Sequence, residues 1–238
     1  MFIHHGKKRN SRHNLQIASL LSFVAGIVNV AGFLAVARLT TNVTGHFAFF
    51  VDEVFRLELW QGLVYFGYIL AFLLGSFSSN FLVDMLSRRS ARFVFIFPTL
   101  IESVLLAAIA LLGSDWGTDI IACGLLFAMG MQNSLVTRIS HAIVRTTHLT
   151  GLFTDLGIEL SQLFFYRDPE NRARLLWPIR LRLTIISFFF IGGIAGGIAY
   201  SMWAMNALLL ASGTLLMGIA FDLYRVPLRR WMRKRARV

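Results

Sequence analysis

The sequence is short of charge, of cysteine and of any stretch that would build a soluble domain. Charged residues fill 15% of its 238 positions, against about 25% in an average soluble domain. Cys123 is the only cysteine, so no intrachain disulfide can form. No segment between the apolar runs is long enough to bury a core of its own. Catalytic signatures are missing too: there is no G-x-S-x-G, Walker loop, H-E-x-x-H or dinucleotide fingerprint. His46, His141 and His148 have neither ligand spacing nor a companion cysteine. These absences exclude a disulfide-rich scaffold and argue against an enzyme. They leave no expected metal or cofactor, and no ATP-binding element to drive transport by this chain alone.

What the chain has in excess is apolar residues, 56% of the total. They gather in runs such as Leu15 to Ala37 and Ile185 to Leu210, where charge is nearly absent. A membrane span takes about 20 apolar residues, so an integral membrane protein is expected. Six spans can be placed, at 15–38, 60–85, 93–112, 119–137, 179–200 and 203–222. Two more segments, 44–58 and 150–165, read as helical but are short and acidic, with Asp52, Glu53 and Glu58 in one and Asp155 and Glu159 in the other. They are expected as re-entrant or interfacial half-helices, because non-helical backbone survives at membrane depth only inside protein or along a wet cavity. The plan is a basic N-terminus (1–14), one transmembrane domain (15–224) and a basic tail (225–238). The N-terminus imitates a signal peptide, but its apolar run exceeds the ~7–15 residues of a signal core. It reads as a retained first span.

The net charge of +11 would suggest nucleic acid in a soluble protein. Here the charge map serves orientation instead. With six spans and the N-terminus inside, Arg88, Arg89, Arg92, the arginines from Arg138 to Arg182 and the tail from Arg225 all fall inside, while Arg38 and Arg56 fall outside. If both short segments crossed, Arg88, Arg89, Arg92, Arg138 and Arg145 would lie outside. Both termini are therefore expected in the cytoplasm. The tail is also placed to meet anionic lipid headgroups.

An internal repeat adds a second argument. Thr41-Asn42-Val43-Thr44-Gly45-His46-Phe47 matches Thr147-His148-Leu149-Thr150-Gly151-Leu152-Phe153 at a shift of 106, which also carries Glu53 onto Glu159. Upstream, Gly26-Ile27-Val28-Asn29 matches Gly130-Met131-Gln132-Asn133. Repeat one covers 15–112 and repeat two 119–222, each with three spans and a half-helix. Three is odd, so the second copy must enter the bilayer upside down. Paired broken helices in 3+3 inverted repeats recur in secondary transporters, with the site between the copies.

At these residues the chain resembles the YoaK family, a bacterial membrane-protein family known as domain of unknown function 1275. The resemblance rests on Ala128-Met129-Gly130-Met131-Gln132-Asn133, on Val144 to Gly151 with Asp155-Leu156-Gly157, and on Asn42-Val43-Thr44-Gly45-His46. It covers most of the chain. Asn29 stands where the family often has Asp. The resemblance implies a bacterial inner-membrane protein and supplies no substrate.

The residues available for chemistry are few. Thr44-Gly45 and Thr150-Gly151 could cap the half-helices and let a ligand approach, and a helix start suits an anion. Asn29, Gln132 and Asn133 precede each broken segment and either bind solute or join helices. Glu102 lies mid-span, where a carboxyl group is by default a candidate for an ion or proton path. Glu53 and Glu159 read as ion-pair partners of Arg56, Arg145 or Arg38, with gating as a further role. Arg145 is placed to bind an anion or to mark the inner face. Gly192-Gly193 and Gly196-Gly197 suit tight packing within the chain or in a homodimer. The expected function is secondary transport of a small, anion-leaning solute. A channel-like facilitator and a non-transporting scaffold or sensor are the alternatives.

Overall fold

The computed structural model describes residues 11–88, 93–166 and 168–235, with side chains of those between 12 and 224. The basic residues up to Arg9, together with Arg89, Arg92 and Arg167, lie outside the described residues. Eight α-helices are described: α1 Ser11–Val36, α2 Thr44–Phe55, α3 Leu59–Ser87, α4 Ile96–Leu112, α5 Thr118–Ser140, α6 Leu149–Phe165, α7 Pro169–Trp203 and α8 Leu208–Arg235. No strand occurs among the described residues. Five stretches are long and apolar enough to cross a membrane: Arg12–Val36, Leu59–Ser87, Ile96–Asp115, Thr118–Ser140 and Pro169–Tyr224. The last, at 56 residues, contains α7 and the first part of α8, separated by a 3-10 turn at Ala204–Ala207. With 12 residues, α2 is only about 18 Å long, well under the ~30 Å of a hydrocarbon core.

Two helix ends differ most from the sequence expectation. The helix expected from residue 179 begins ten residues earlier. Asp168 caps it by accepting from the Asn171 amide at 3.3 Å, and Pro169 fills the first turn. The last helix runs to Arg235 rather than 222. An apolar window stops where charge begins, whereas helical hydrogen bonding does not.

α1 and α5 form the centre, with 61% and 67% of their apolar windows buried against 17% for α3. α1 packs along α7, α3 along α5, and α4 along α8, while the short helices α2 and α6 lie on α3 and α7. The outer faces of α3 and α7 carry exposed residues at helical spacing, Leu73, Phe77 and Phe81 on one and Phe190, Ile194 and Ile198 on the other. Such an apolar exterior suits lipid.

Four glycines set the two tightest crossings. A Cβ built on Gly26 would lie 2.0 Å from the Phe189 carbonyl oxygen, and one on Gly192 would lie 2.1 Å from that of Phe23. On the other pair, a Cβ on Gly75 would lie 2.0 Å from the Phe127 oxygen, and one on Gly130 would lie 2.1 Å from that of Phe72. Each glycine follows its own phenylalanine by three residues, so one Phe-x-x-Gly element is used four times. Gly193, Gly196 and Gly197 also face α1, at Val30 and Ile27. The glycine-rich stretch is thus engaged within the chain.

Other contacts also come in matched sets. After α1 the backbone turns through Ala37 (φ 51°), and after α5 through His141 and Ala142 (φ 54° and 62°). Each turn lays a Thr-Thr pair back on the helix just completed. Thr41 donates to Asn29 Oδ1 at 2.6 Å, and Thr147 donates to Asn133 Oδ1 at 2.9 Å. The preceding threonines, Thr40 and Thr146, are fully buried. Thr40 donates to the Val28 carbonyl oxygen at 3.0 Å, and Thr146 Oγ1 accepts from Gln132 Nε2 at 3.5 Å. On the α4–α8 face Ser103 and Ser212 bond reciprocally: each hydroxyl donates to the other's carbonyl oxygen, at 3.1 and 2.8 Å.

Contacts also give helix direction. Gln132 donates to the Leu21 carbonyl oxygen at 3.0 Å, and Leu125 touches the Cβ position of Gly32 at 3.0 Å. Later residues of α1 meet earlier residues of α5, so the two run antiparallel. Ser103 meets Ser212 while Gly113 meets Met205, so α4 and α8 are antiparallel too.

Candidate functional site

The N-terminal end of α6 opens into a cavity of about 510 Å³. Its polar lining is Arg145, His148, Asp155 and Arg182, and Gly151 forms part of the wall. The loop after α5 supplies Arg145, the first turns of α6 supply Gly151 and Asp155, and α7 supplies Trp177, Pro178 and Arg182. A Cβ on Gly151 would have nothing within 4 Å, so this wall is open. Arg182 holds α6 to α7 by pairing with Glu159 and, at 3.1 Å, with Asp155. Arg145 is exposed and has no ion pair among the described residues. Glu159 thus pairs with Arg182 rather than with Arg145 or Arg38, and Arg56 pairs with Asp52 at 3.0 Å rather than with Glu53.

Around the cavity Arg145 and Arg182 balance Asp155 and Glu159 in formal charge, and the positive end lies at the start of α6. Both carboxylates are engaged by one guanidinium, leaving Arg145 free. The first amides of α6 also lack intrahelical partners, as at any helix start. Burial, and then the charge of Arg145, lowers the pKa of His148 below the ordinary imidazole value. The neutral form of His148 is therefore favoured over its cation more than in a free imidazole. Because the folded chain disfavours its cation, acidification through the ordinary imidazole range removes stability. Replacing Arg145 by Ala is expected to raise the His148 midpoint without restoring the free value, since burial remains. Histidine NMR across a pH series checks this, and an unmoved midpoint would place Arg145 too far away to act.

The threonines expected as caps do not cap. Thr44 is the first residue of α2, after Val43 at the N-cap position, and Thr150 is the second of α6, after His148. Neither helix has a side-chain cap bond at its N-cap. In the first half Asn42 Oδ1 instead accepts from the Gly45 amide at 3.4 Å. Both threonines are exposed.

The first-half motif is arranged differently. Leu39 sits on Gly45, with Cδ1 2.3 Å from where a Cβ would be. His46 is buried and donates from Nε2 to the Leu39 carbonyl oxygen at 2.6 Å. Its ring meets Tyr68 edge-on at 4.9 Å, and Phe49 stacks on Tyr65 at 5.2 Å. Arg38 lies 5.8 Å from the centre of the Tyr65 ring, while the Tyr68 hydroxyl donates to Asp119.

The candidate residues therefore fall into separate places. Arg145 and Gly151 share the cavity. Asn29, Gln132 and Asn133 hold loops and helices through hydrogen bonds and do not line it. Thr44 and Gly45 belong to α2, which packs on α3 while α6 packs on α7. Glu102 is wholly buried on α4, and neither carboxyl oxygen has a hydrogen-bond partner among the described residues. The sequence reading missed Trp177, Pro178 and Arg182 as cavity residues. One signal was available: Leu59-Trp60 with Phe72-x-x-Gly75 recurs as Leu176-Trp177 with Phe189-x-x-Gly192. That match places Arg182 opposite Tyr65.

Fold and cavity together define a multi-pass helical membrane protein with a charged vestibule at the start of a short helix. The chain belongs to the protein family of unknown function DUF1275, whose family model matches residues 17–221. That match runs from α1 into α8. Searches of curated proteins and of solved structures found no match.

Proposed function

We propose that the chain is a secondary transporter of a small anionic solute. It would lie in a bacterial inner membrane with both termini cytoplasmic, and consist of two inverted copies. Each copy would contribute three crossings and one half-helix. The observation carrying this reading is the matched packing: α1 on α7 and α5 on α3 cross through the same Phe-x-x-Gly element, and both copies tie a Thr to an Asn. The equivalent helices α1 and α5 run antiparallel, which is the relation an inverted copy requires.

Parity supports six crossings. If α2 crossed as α3 and α4 do, α5 would run parallel to α1. It runs antiparallel, which supports α2 as a re-entrant or interfacial half-helix that begins and ends on one side. The same count holds from α4 to α8 around α6. In this reading Arg145, His148 and Gly151 receive the solute, and Glu102 carries a coupled proton. Thr44, Gly45 and Thr150 shape the two mouths, and Glu53 and Glu159 take part in gating. Asn29, Gln132 and Asn133 act through the loops they hold.

Uptake into proteoliposomes, tested with a panel of small carboxylates and inorganic phosphate, decides the matter. Saturable uptake accelerated by solute on the far side is expected. Gly151→Leu has room to fold because its side chain enters empty space, yet it fills the vestibule. It should cut uptake about tenfold or more, the equivalent of ~1.4 kcal/mol of lost binding. Flux that rises linearly with concentration would favour a facilitator. No flux for any probe would favour a scaffold or sensor.

A further inference from the structure

We propose that the first half holds a second mouth, a closed counterpart of the cavity at α6, and that Leu39 is its plug. This inference rests on the inverted-repeat reading above. At the shift of 106, Arg145 corresponds to Leu39, His148 to Asn42, Gly151 to Gly45 and Asp155 to Phe49. At the Leu-Trp match, Trp177 corresponds to Trp60 and Arg182 to Tyr65. Two of these matches differ in packing: Gly45 is covered where Gly151 is open, and Phe49 stacks on Tyr65 where Asp155 pairs with Arg182. Gly151 faces nothing within 4 Å, whereas Leu39 Cδ1 lies 2.3 Å from the Cβ position of Gly45.

The plug is held from two sides. His46 donates to the carbonyl oxygen of Leu39 itself. The Phe49–Tyr65 stack then occupies the place where Asp155 and Arg182 pair in the second half. Arg38 lies over the same Tyr65 ring. A leucine end against a glycine is a small apolar contact that can part without leaving a charge unpaired. In the second half the matching residue, Arg145, stands away from Gly151 and leaves the mouth open. The structure therefore assigns the two halves opposite states of one gate.

Thiol accessibility tests this without a known solute. Single cysteines at Asn42 and His148, in a Cys123→Ala background, are exposed to an impermeant maleimide from each face of sealed vesicles. His148→Cys should react quickly and Asn42→Cys slowly. Adding Leu39→Ala should speed labelling of Asn42→Cys about tenfold or more. Adding Gly45→Leu to Leu39→Ala moves the knob to the other side of the contact and should restore slow labelling. That restoration separates an opened plug from a misfolded chain, which would label in both variants. Equal initial rates at the two cysteines, or no response to Leu39→Ala, would overturn the plug. If Asn42→Cys opens while His148→Cys keeps its rate, the plug stands and alternation between the halves fails. If His148→Cys slows as Asn42→Cys opens, both stand.

Discussion

Alanine at Gly26 or Gly130 is expected to lower the thermal midpoint by about 5–10 °C, among the largest losses from a one-carbon change in this chain. The new methyl group would sit 2.0 or 2.1 Å from a carbonyl oxygen of the opposing helix. Main chain cannot swing aside as a side-chain end can, so the crossing must widen. Widening also loosens the neighbours that follow each crossing, Asn29 with Thr41 and Asn133 with Thr147. Both loops leading to the half-helices should then lose protection. Gly67 and Gly213 supply the controls, since a Cβ on either meets nothing within 4 Å. Alanine there should be neutral or stabilising by up to ~1 kcal/mol through helix propensity. Thermal unfolding in one detergent, followed by tryptophan fluorescence, compares the four variants. Equal midpoints for all of them would mean that the close crossings do not govern stability.

The same glycines show how the chain's pattern maps onto its fold. Apolar runs located the long helices because a bilayer demands unbroken apolar length. Acidic residues set α2 and α6 apart for the same reason. The Phe-x-x-Gly pattern occurs five times, counting Phe190 with Gly193, but a glycine's use in a close crossing depends on the partner helix. Gly26 meets Phe189 across more than half the sequence. The turns after α1 and α5 gave no warning, because Ala37 and His141 occupy left-handed backbone where glycine would have marked it.

The site was legible in part. The Thr-Gly repeat pointed to the starts of both short helices, and Arg145 and Gly151 do meet at a cavity. The opposite states of the two starts were hidden six residues upstream, where one copy has Leu39 and the other Arg145. Trp177 and Arg182 come from the next helix, where their own spacing does not mark them, and the match between α3 and α7 was the signal that could have brought them in. Asn29 and Asn133 looked alike as binding groups or as links. Their threonine partners, twelve and fourteen residues on, show that each ties a loop to its helix.

Glu102→Gln should abolish proton movement coupled to solute while leaving the protein as stable as before or more so. The two side chains have the same shape, and neither oxygen of Glu102 has a protein partner to lose among the described residues. An ionised, unpartnered carboxylate at this depth is costly. Removing one would raise the thermal midpoint, whereas replacing a carboxyl that already holds its proton would leave the midpoint in place. The midpoint therefore reports the resting state of the group, and the flux reports its role. In proteoliposomes loaded with a pH-sensitive dye, solute addition should acidify the lumen with the original chain and give only background leak with Glu102→Gln. Exchange of solute for solute needs no net proton transfer, so it should persist in the variant. Loss of exchange together with a lowered midpoint would make Glu102 a packing residue. Unchanged acidification would remove it from the proton path, and the coupled ion would then have to cross by another route.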